Sequence, residues 1–230
     1  MFSVREDFKK RAKEIFTYNK FISIIVDSYE DPLTYEKNGL QHSYKISDEL
    51  EKVLIANGFL LLYNIVEATI RNLIERVYDE INNENLCLRD LSGNIQKIWL
   101  KQQTHNIRKG TQKYETLHKL VCHIADDVLL DNKVKFEKDK LDFSGNLDAK
   151  KIKELAADLG VEQPHKNGED LLTIKNKRNH LAHGNYSFAE IGKDYTTGDL
   201  NAFSKSTYLF LLDVIDQYQR FIDELKFINS

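Results

Sequence analysis

Residues 47–82 read SDELEKVLIANGFLLLYNIVEATIRNLIERVYDEIN, and this stretch decides the fold class. Its apolar positions include Leu50, Val53, Leu54, Phe59, Leu62, Ile65, Val66, Ile70, Leu73, Ile74, Val77 and Ile81. They recur near the helical period, so one face of a long helix is apolar along its whole length. Ser47 precedes an acidic first turn and is the expected N-cap, while Asn82-Asn83-Glu84-Asn85 ends the helix. Gly58 in the interior costs ~1 kcal/mol relative to alanine. A close helix crossing is therefore expected at that point.

Outward from this helix, the chain reads as more of the same. Residues 4–26 carry Phe8, Ala12, Ile15, Phe16, Tyr18, Phe21, Ile22 and Ile25 at helical spacing. Pro32 and Gly39 bracket a polar loop that ends near Ile46. Residues 89–102 form a short helix around Ile95, Ile98, Trp99 and Leu100, and another runs from Thr111 to Leu130. The charged segment from Asp131 to Asp142 is expected to be a surface excursion. Asp148 caps a helix over Ala149–Leu159, and Gly160 closes it. Glu169 or Asp170 starts a helix that ends at Gly184; a loop through Tyr186, Phe188, Gly192 and Gly198 leads to a last helix over Leu200–Phe227. The expectation is an all-α helical bundle of long antiparallel helices, one domain over 1–230. Residues 1–45 are an N-terminal helix-and-loop extension on a core of 47–227.

Composition agrees. With 2 Pro, 10 Gly and 30% charged residues, long helices are favoured over a turn-rich β fold. Cys87 and Cys122 make no disulfide framework and suit a reducing compartment. The charged start is unlike a signal peptide, and the longest apolar run, Phe59–Tyr63, is too short for a membrane span. A cytoplasmic protein with no membrane contact is expected. The net charge of −3 argues against a generally basic nucleic-acid binder. Charge is uneven, however: Lys97, Lys101, Arg108, Lys109, Lys113 and Lys119 face only Glu115, and Lys175, Lys177 and Arg178 form a second cluster. Such patches can hold phosphate. Trp99, Lys101, His105, Arg108, Lys109 and Tyr114 could together hold RNA; the alternative for Trp99, and the favoured one, is the core. His118, Cys122 and His123 lack a CxxC or HExxH companion, so no metal and no cofactor is expected.

The stretch with chemistry is Arg178-Asn179-His180-Leu181-Ala182-His183-Gly184. A guanidinium clamps phosphate, and an imidazole titrates near neutral pH and can shuttle a 2′-hydroxyl proton. These are the groups that RNA cleavage without a metal needs. Asn179 and His183, four apart, share a helix face. Arg178 and His183, five apart, diverge by about 140° on an ideal helix. Convergence requires the arginine's length or an unwound last turn, which Gly184 suggests. A histidine before a glycine is also what a plain helix end looks like.

The stretch resembles the signature of the HEPN superfamily of all-α ribonucleases: Arg, usually a polar residue, then His a few positions on. Three further stretches are similar to one bacterial HEPN branch: Phe59–Ala68, Ser144–Ile152 and Gly168–Leu172. The likeness spans most of residues 47–227. It implies a metal-independent endoribonuclease, of toxin or antiviral-defence type, with RNA as substrate. His183 would take the 2′-hydroxyl proton, Arg178 would stabilise the phosphorane-like transition state and Asn179 would orient one or the other. The resemblance further implies a homodimer through the signature helix, a composite cleft, and an antitoxin or defence partner. Some HEPN domains only bind, so a non-catalytic module for RNA, nucleotide or a defence complex is the alternative. Where some HEPN toxins carry a modified tyrosine two residues after the histidine, this chain has Asn185, with Tyr186 one further on. Supporting roles fall to His180, as a packing or partner contact, and to Glu67, which pairs either with Arg71 or with Arg178. Lys175, Lys177, Lys101, Arg108 and Lys109 are the candidate RNA-binding cations.

Overall fold

The computed structural model describes residues 2–27, 32–104, 114–140 and 146–229. Helix α1 (Phe2–Asp27) is followed by strands β1 (Leu33–Lys37) and β2 (Leu40–Tyr44), then by α2 (Asp48–Asn83). Next come α3 (Gly93–Gln103), α4 (Tyr114–Leu129), α5 (Ala149–Leu159), α6 (Asp170–Ala182), the short α7 (Phe188–Gly192) and α8 (Thr197–Asp223). Among the described residues, single 3-10 turns at Leu88–Asp90 and Lys138–Lys140 punctuate the connections.

Helix α2 is the axis of the molecule. The Ser47 hydroxyl accepts the Leu50 N–H at 3.2 Å, and Asp48, Glu49 and Glu51 favour the positive end of the helix dipole. By length and composition α2 could cross a membrane, but Phe59, Leu62, Val66, Ile70, Leu73 and Val77 are buried against neighbouring helices. Burial of that row removes apolar surface from water at roughly 25 cal/mol per Å², which makes α2 a core helix. The expected close crossing is present at Gly58, where a Cβ would fall 2.5 Å from Leu200 of α8.

Helix α1 runs antiparallel to both α2 and α8. Asp7 accepts from Asn72, Arg11 donates to Asn64 and Tyr18 donates to the Leu54 carbonyl, so the partner number falls as the α1 number rises. Across α8, Arg5 pairs with Asp216 and Asn19 donates to Ser204. Val4, Phe8, Ala12, Ile15 and Ile22 lie in the same buried cluster as Phe59, Ile70, Phe210 and Val214. The N-terminal helix is thus a wall of the core rather than an addition to it, because its apolar face meets two core helices.

Two readings of the connections need correction. The segment after Pro32 is a β-hairpin, Leu33 opposite Tyr44 through Lys37 opposite Leu40, not a featureless polar loop. Its turn is Asn38-Gly39, with φ of +55° and +74°, the left-handed pair that a two-residue hairpin of primed type requires. The segment after Asp131 is anchored rather than loose. Val134 and Phe136 are buried, Asn82 clamps the Phe136 backbone with two hydrogen bonds, and Phe136 packs on Tyr78 at 5.1 Å. Trp99 is 2% exposed and belongs to the core, as its apolar neighbours suggested.

Candidate active site at the end of α6

Leu171, Ile174 and Leu181 are buried and turn α6 toward α2 and α8, while the Ser206 hydroxyl of α8 donates to Asp170 at 2.5 Å. At the other end the helix closes in a Schellman arrangement. Gly184 N–H donates to the Leu181 carbonyl at 3.2 Å and Asn185 N–H to the His180 carbonyl at 2.9 Å, with Gly184 at φ +67°. His183 is the C-cap residue (φ −94°, ψ 0°), and its side chain is exposed. The glycine therefore unwinds the chain immediately after the histidine and leaves the imidazole open to solvent.

Arg178 goes the other way. Its guanidinium lies over the ring of Tyr63 on α2, 3.7 Å from the ring centroid. Tyr63 is buried and its hydroxyl accepts the Leu147 N–H at 3.0 Å. Stacking uses the face of a guanidinium, whose N–H fork lies in its own plane. Asn179 donates to Asn146 Oδ1 at 2.8 Å, and its own Oδ1 is buried without a hydrogen-bond partner. Arginine and asparagine together fasten α6 to α2 and to the loop before α5.

The basic residues ahead of the signature are engaged within the chain. Lys175 donates to Asp148 at 2.5 Å, both side chains being mostly buried. Asp148 also caps α5 by accepting the Lys151 N–H at 2.9 Å. Burial pushes its carboxyl up, but the bonds and charge of Lys175 and the Lys151 N–H outweigh this and hold it below the ordinary value. Lys177 stands 4.0 Å from Asp194 and 5.1 Å over the ring of Tyr195. His180 meets Tyr186 edge to face at 5.0 Å, and its Nδ1 is buried without a hydrogen-bond partner. Lys177, His180 and Tyr186 line a cleft of about 310 Å³.

Glu67, one turn beyond Tyr63, forms an ion pair with Arg71 at 3.7 Å. Lys101 is half-buried in the last turn of α3; Arg108 and Lys109 fall outside the described residues. Cys122 is 3.7 Å from His118 on α4, but His123 turns to Asp127 at 3.6 Å. Among the described residues no third donor joins them. The sequence assigns Tyr63 and Asn146 no individual role, and Asp148 only that of a helix cap, because each meets α6 through the tertiary fold.

The protein is thus a mostly α-helical bundle in which α6 carries Arg-Asn-x-x-x-His at its end, the arginine against Tyr63 and the histidine at the exposed cap. The chain belongs to the HEPN superfamily, matching the HEPN_MAE_28990-like HEPN family over residues 3–227. The match includes α1, in keeping with that helix's place in the core. No curated protein and no solved structure matches the chain.

Proposed function

We propose that this protein is an endoribonuclease that cuts RNA by attack of the ribose 2′-hydroxyl on the adjacent phosphorus, without a metal. The observation that carries the reading is the pairing of an exposed His183, released by the Gly184 cap, with an Arg178 preset on Tyr63. His183 accepts the 2′-hydroxyl proton as the new oxygen–phosphorus bond forms and the bond to the 5′-oxygen breaks. The leaving 5′-oxygen takes up a proton from water, and the imidazolium of His183 then returns its proton to the solvent. Arg178 neutralises charge that grows on the phosphoryl oxygens, a role such donors fill at about 100- to 1,000-fold in rate each. The products are a 2′,3′-cyclic phosphate and a 5′-hydroxyl.

Because the two side chains leave α6 on different sides, the proposal includes a homodimer through this helix, so that Arg178 of one copy serves with His183 of the other. A cytoplasmic toxin or antiphage effector, held in check by an antitoxin or defence partner, is the setting that HEPN membership supports. The test is cleavage of labelled RNA in EDTA by the wild type, His183→Ala and Arg178→Ala. Cleavage lost in both variants supports the assignment; equal cutting by either variant removes it. A second reading, a HEPN module that binds RNA or a partner without cutting, draws on the engagement of Lys175 and Lys177 by Asp148 and Asp194. It predicts binding without cleavage by folded wild type.

A further inference from the structure

Beside the cap of α6, the cleft of about 310 Å³ is walled by residues that the cleavage step does not use. We propose that it is a nucleobase subsite, which holds one unpaired base of single-stranded RNA next to the scissile phosphate; this rests on the ribonuclease reading for its role. The volume sits at the lower end of ligand pockets, about 300 Å³ upward, which suits one nucleotide and excludes a duplex.

The lining chemistry selects a base over a bare anion. Two ammonium groups, Lys177 and Lys193, are matched by two carboxylates, Glu190 and Asp194. An isolated phosphate would meet repulsion from the second pair as well as attraction from the first. A nucleobase edge offers donors and acceptors side by side, and groups of both signs can answer it. Glu190 is held in place for this: its carboxylate accepts the Ser187 N–H at 2.7 Å while its own N–H donates to the Ser187 hydroxyl at 3.2 Å. Tyr186 supplies the platform. Its ring meets that of His180 edge to face, and the residue remains 50% exposed, which leaves aromatic surface for a base to stack on. The chain geometry ties the subsite to the reaction: two of its lining residues, His180 and Tyr186, stand three residues before and three residues after His183. A base seated here places its own ribose and phosphate at the cap.

The test is an NMR titration of the intact wild-type protein with each of the four nucleoside 5′-monophosphates, with inorganic phosphate and ribose 5-phosphate as comparison probes. At least one nucleotide should shift the amide resonances of Tyr186, Ile191 and Lys193, and the two base-free probes should not. Tyr186→Ala should weaken that nucleotide about 5- to 150-fold, the equivalent of ~1–3 kcal/mol of stacking, whereas Tyr186→Phe should retain it. Because Tyr186 is half exposed, both variants are expected to fold, and unchanged melting checks that. Equal shifts by inorganic phosphate, unchanged affinity in Tyr186→Ala, or shifts confined to other surfaces would overturn the subsite. The titration needs no cleavage, so a silent enzyme leaves a positive result standing. Conversely, RNA cutting that depends on His183 with no base-dependent shift at the cleft overturns the subsite alone.

Discussion

Tyr63 does two separable things, and two substitutions pull them apart. Its hydroxyl accepts the N–H of Leu147, a fully buried residue, at 3.0 Å, and its ring carries the Arg178 guanidinium at 3.7 Å. Tyr63→Phe removes the acceptor and keeps the ring, which leaves a buried N–H unpaired at a cost of ~1–3 kcal/mol. For a domain of this size about 2–4 °C of melting temperature goes with each kcal/mol, so the Phe variant should melt roughly 2–12 °C lower. Its cleavage rate per folded molecule should stay near wild type. Tyr63→Leu also removes the π face, a further ~0.5–2 kcal/mol, and lets the guanidinium move. A misplacement of about 1 Å costs on the order of 100-fold in rate, so this variant should cut RNA far more slowly even where it is folded. Melting followed by circular dichroism and single-turnover cleavage well below both midpoints make the comparison. Phe and Leu variants that cleave equally, or a Phe variant as stable as wild type, would refute the argument.

Gly192→Ala should destabilise the fold by ~1–3 kcal/mol in urea unfolding, despite alanine's better helix propensity, because a Cβ there would fall 1.9 Å from the Lys52 carbonyl oxygen of α2. Asp148 has a lowered folded-state pKa, so its contribution is present above the unfolded value near 3.9 and is lost as pH falls through the folded one. The stability gap between wild type and Asp148→Asn should therefore be steady near neutral pH and shrink below about pH 4; a gap unchanged at pH 3 would contradict the ion pair. If the site is composite, mixing inactive Arg178→Ala and His183→Ala chains should restore cleavage, through mixed dimers holding one intact pair. No recovery from mixed chains shown to exchange would refute a shared site.

The elements read most accurately were those with caps written in the sequence. Ser47 and the Asn82-Asn83 end bound α2 to within a residue or two, and Asp148 with Gly160 bound α5 as expected. The last helix begins earlier than its apolar pattern, at Thr197, because Thr196 and Asp199 form a capping box, and it stops before Leu225, whose φ is +50°. Helix α7 has five residues, too few for a period to show, although Ser187 and Glu190 spell its capping box. The hairpin was legible in Asn38-Gly39 between alternating apolar residues, a local turn signal that the surrounding polarity obscured. At the site, the open cap at Gly184 follows from the glycine itself. The ring under Arg178 does not: Tyr63 is one of fifteen buried positions on α2, and only packing selects it. Lys175 looks like a phosphate ligand in sequence because its partner Asp148 lies 27 positions away.

The most direct test is cleavage of one defined RNA in EDTA by the wild type and by His183→Ala, with the product ends identified and a matching substrate carrying a 2′-deoxy sugar at the cut. His183 is exposed at a helix cap, so its loss should change stability by no more than about 0.5 kcal/mol while slowing cleavage ~100- to 10,000-fold. The account predicts 2′,3′-cyclic phosphate ends from the wild type and no cut at the deoxy position. A 3′-hydroxyl end, a cut at the deoxy sugar, or undiminished cleavage by folded His183→Ala would contradict it.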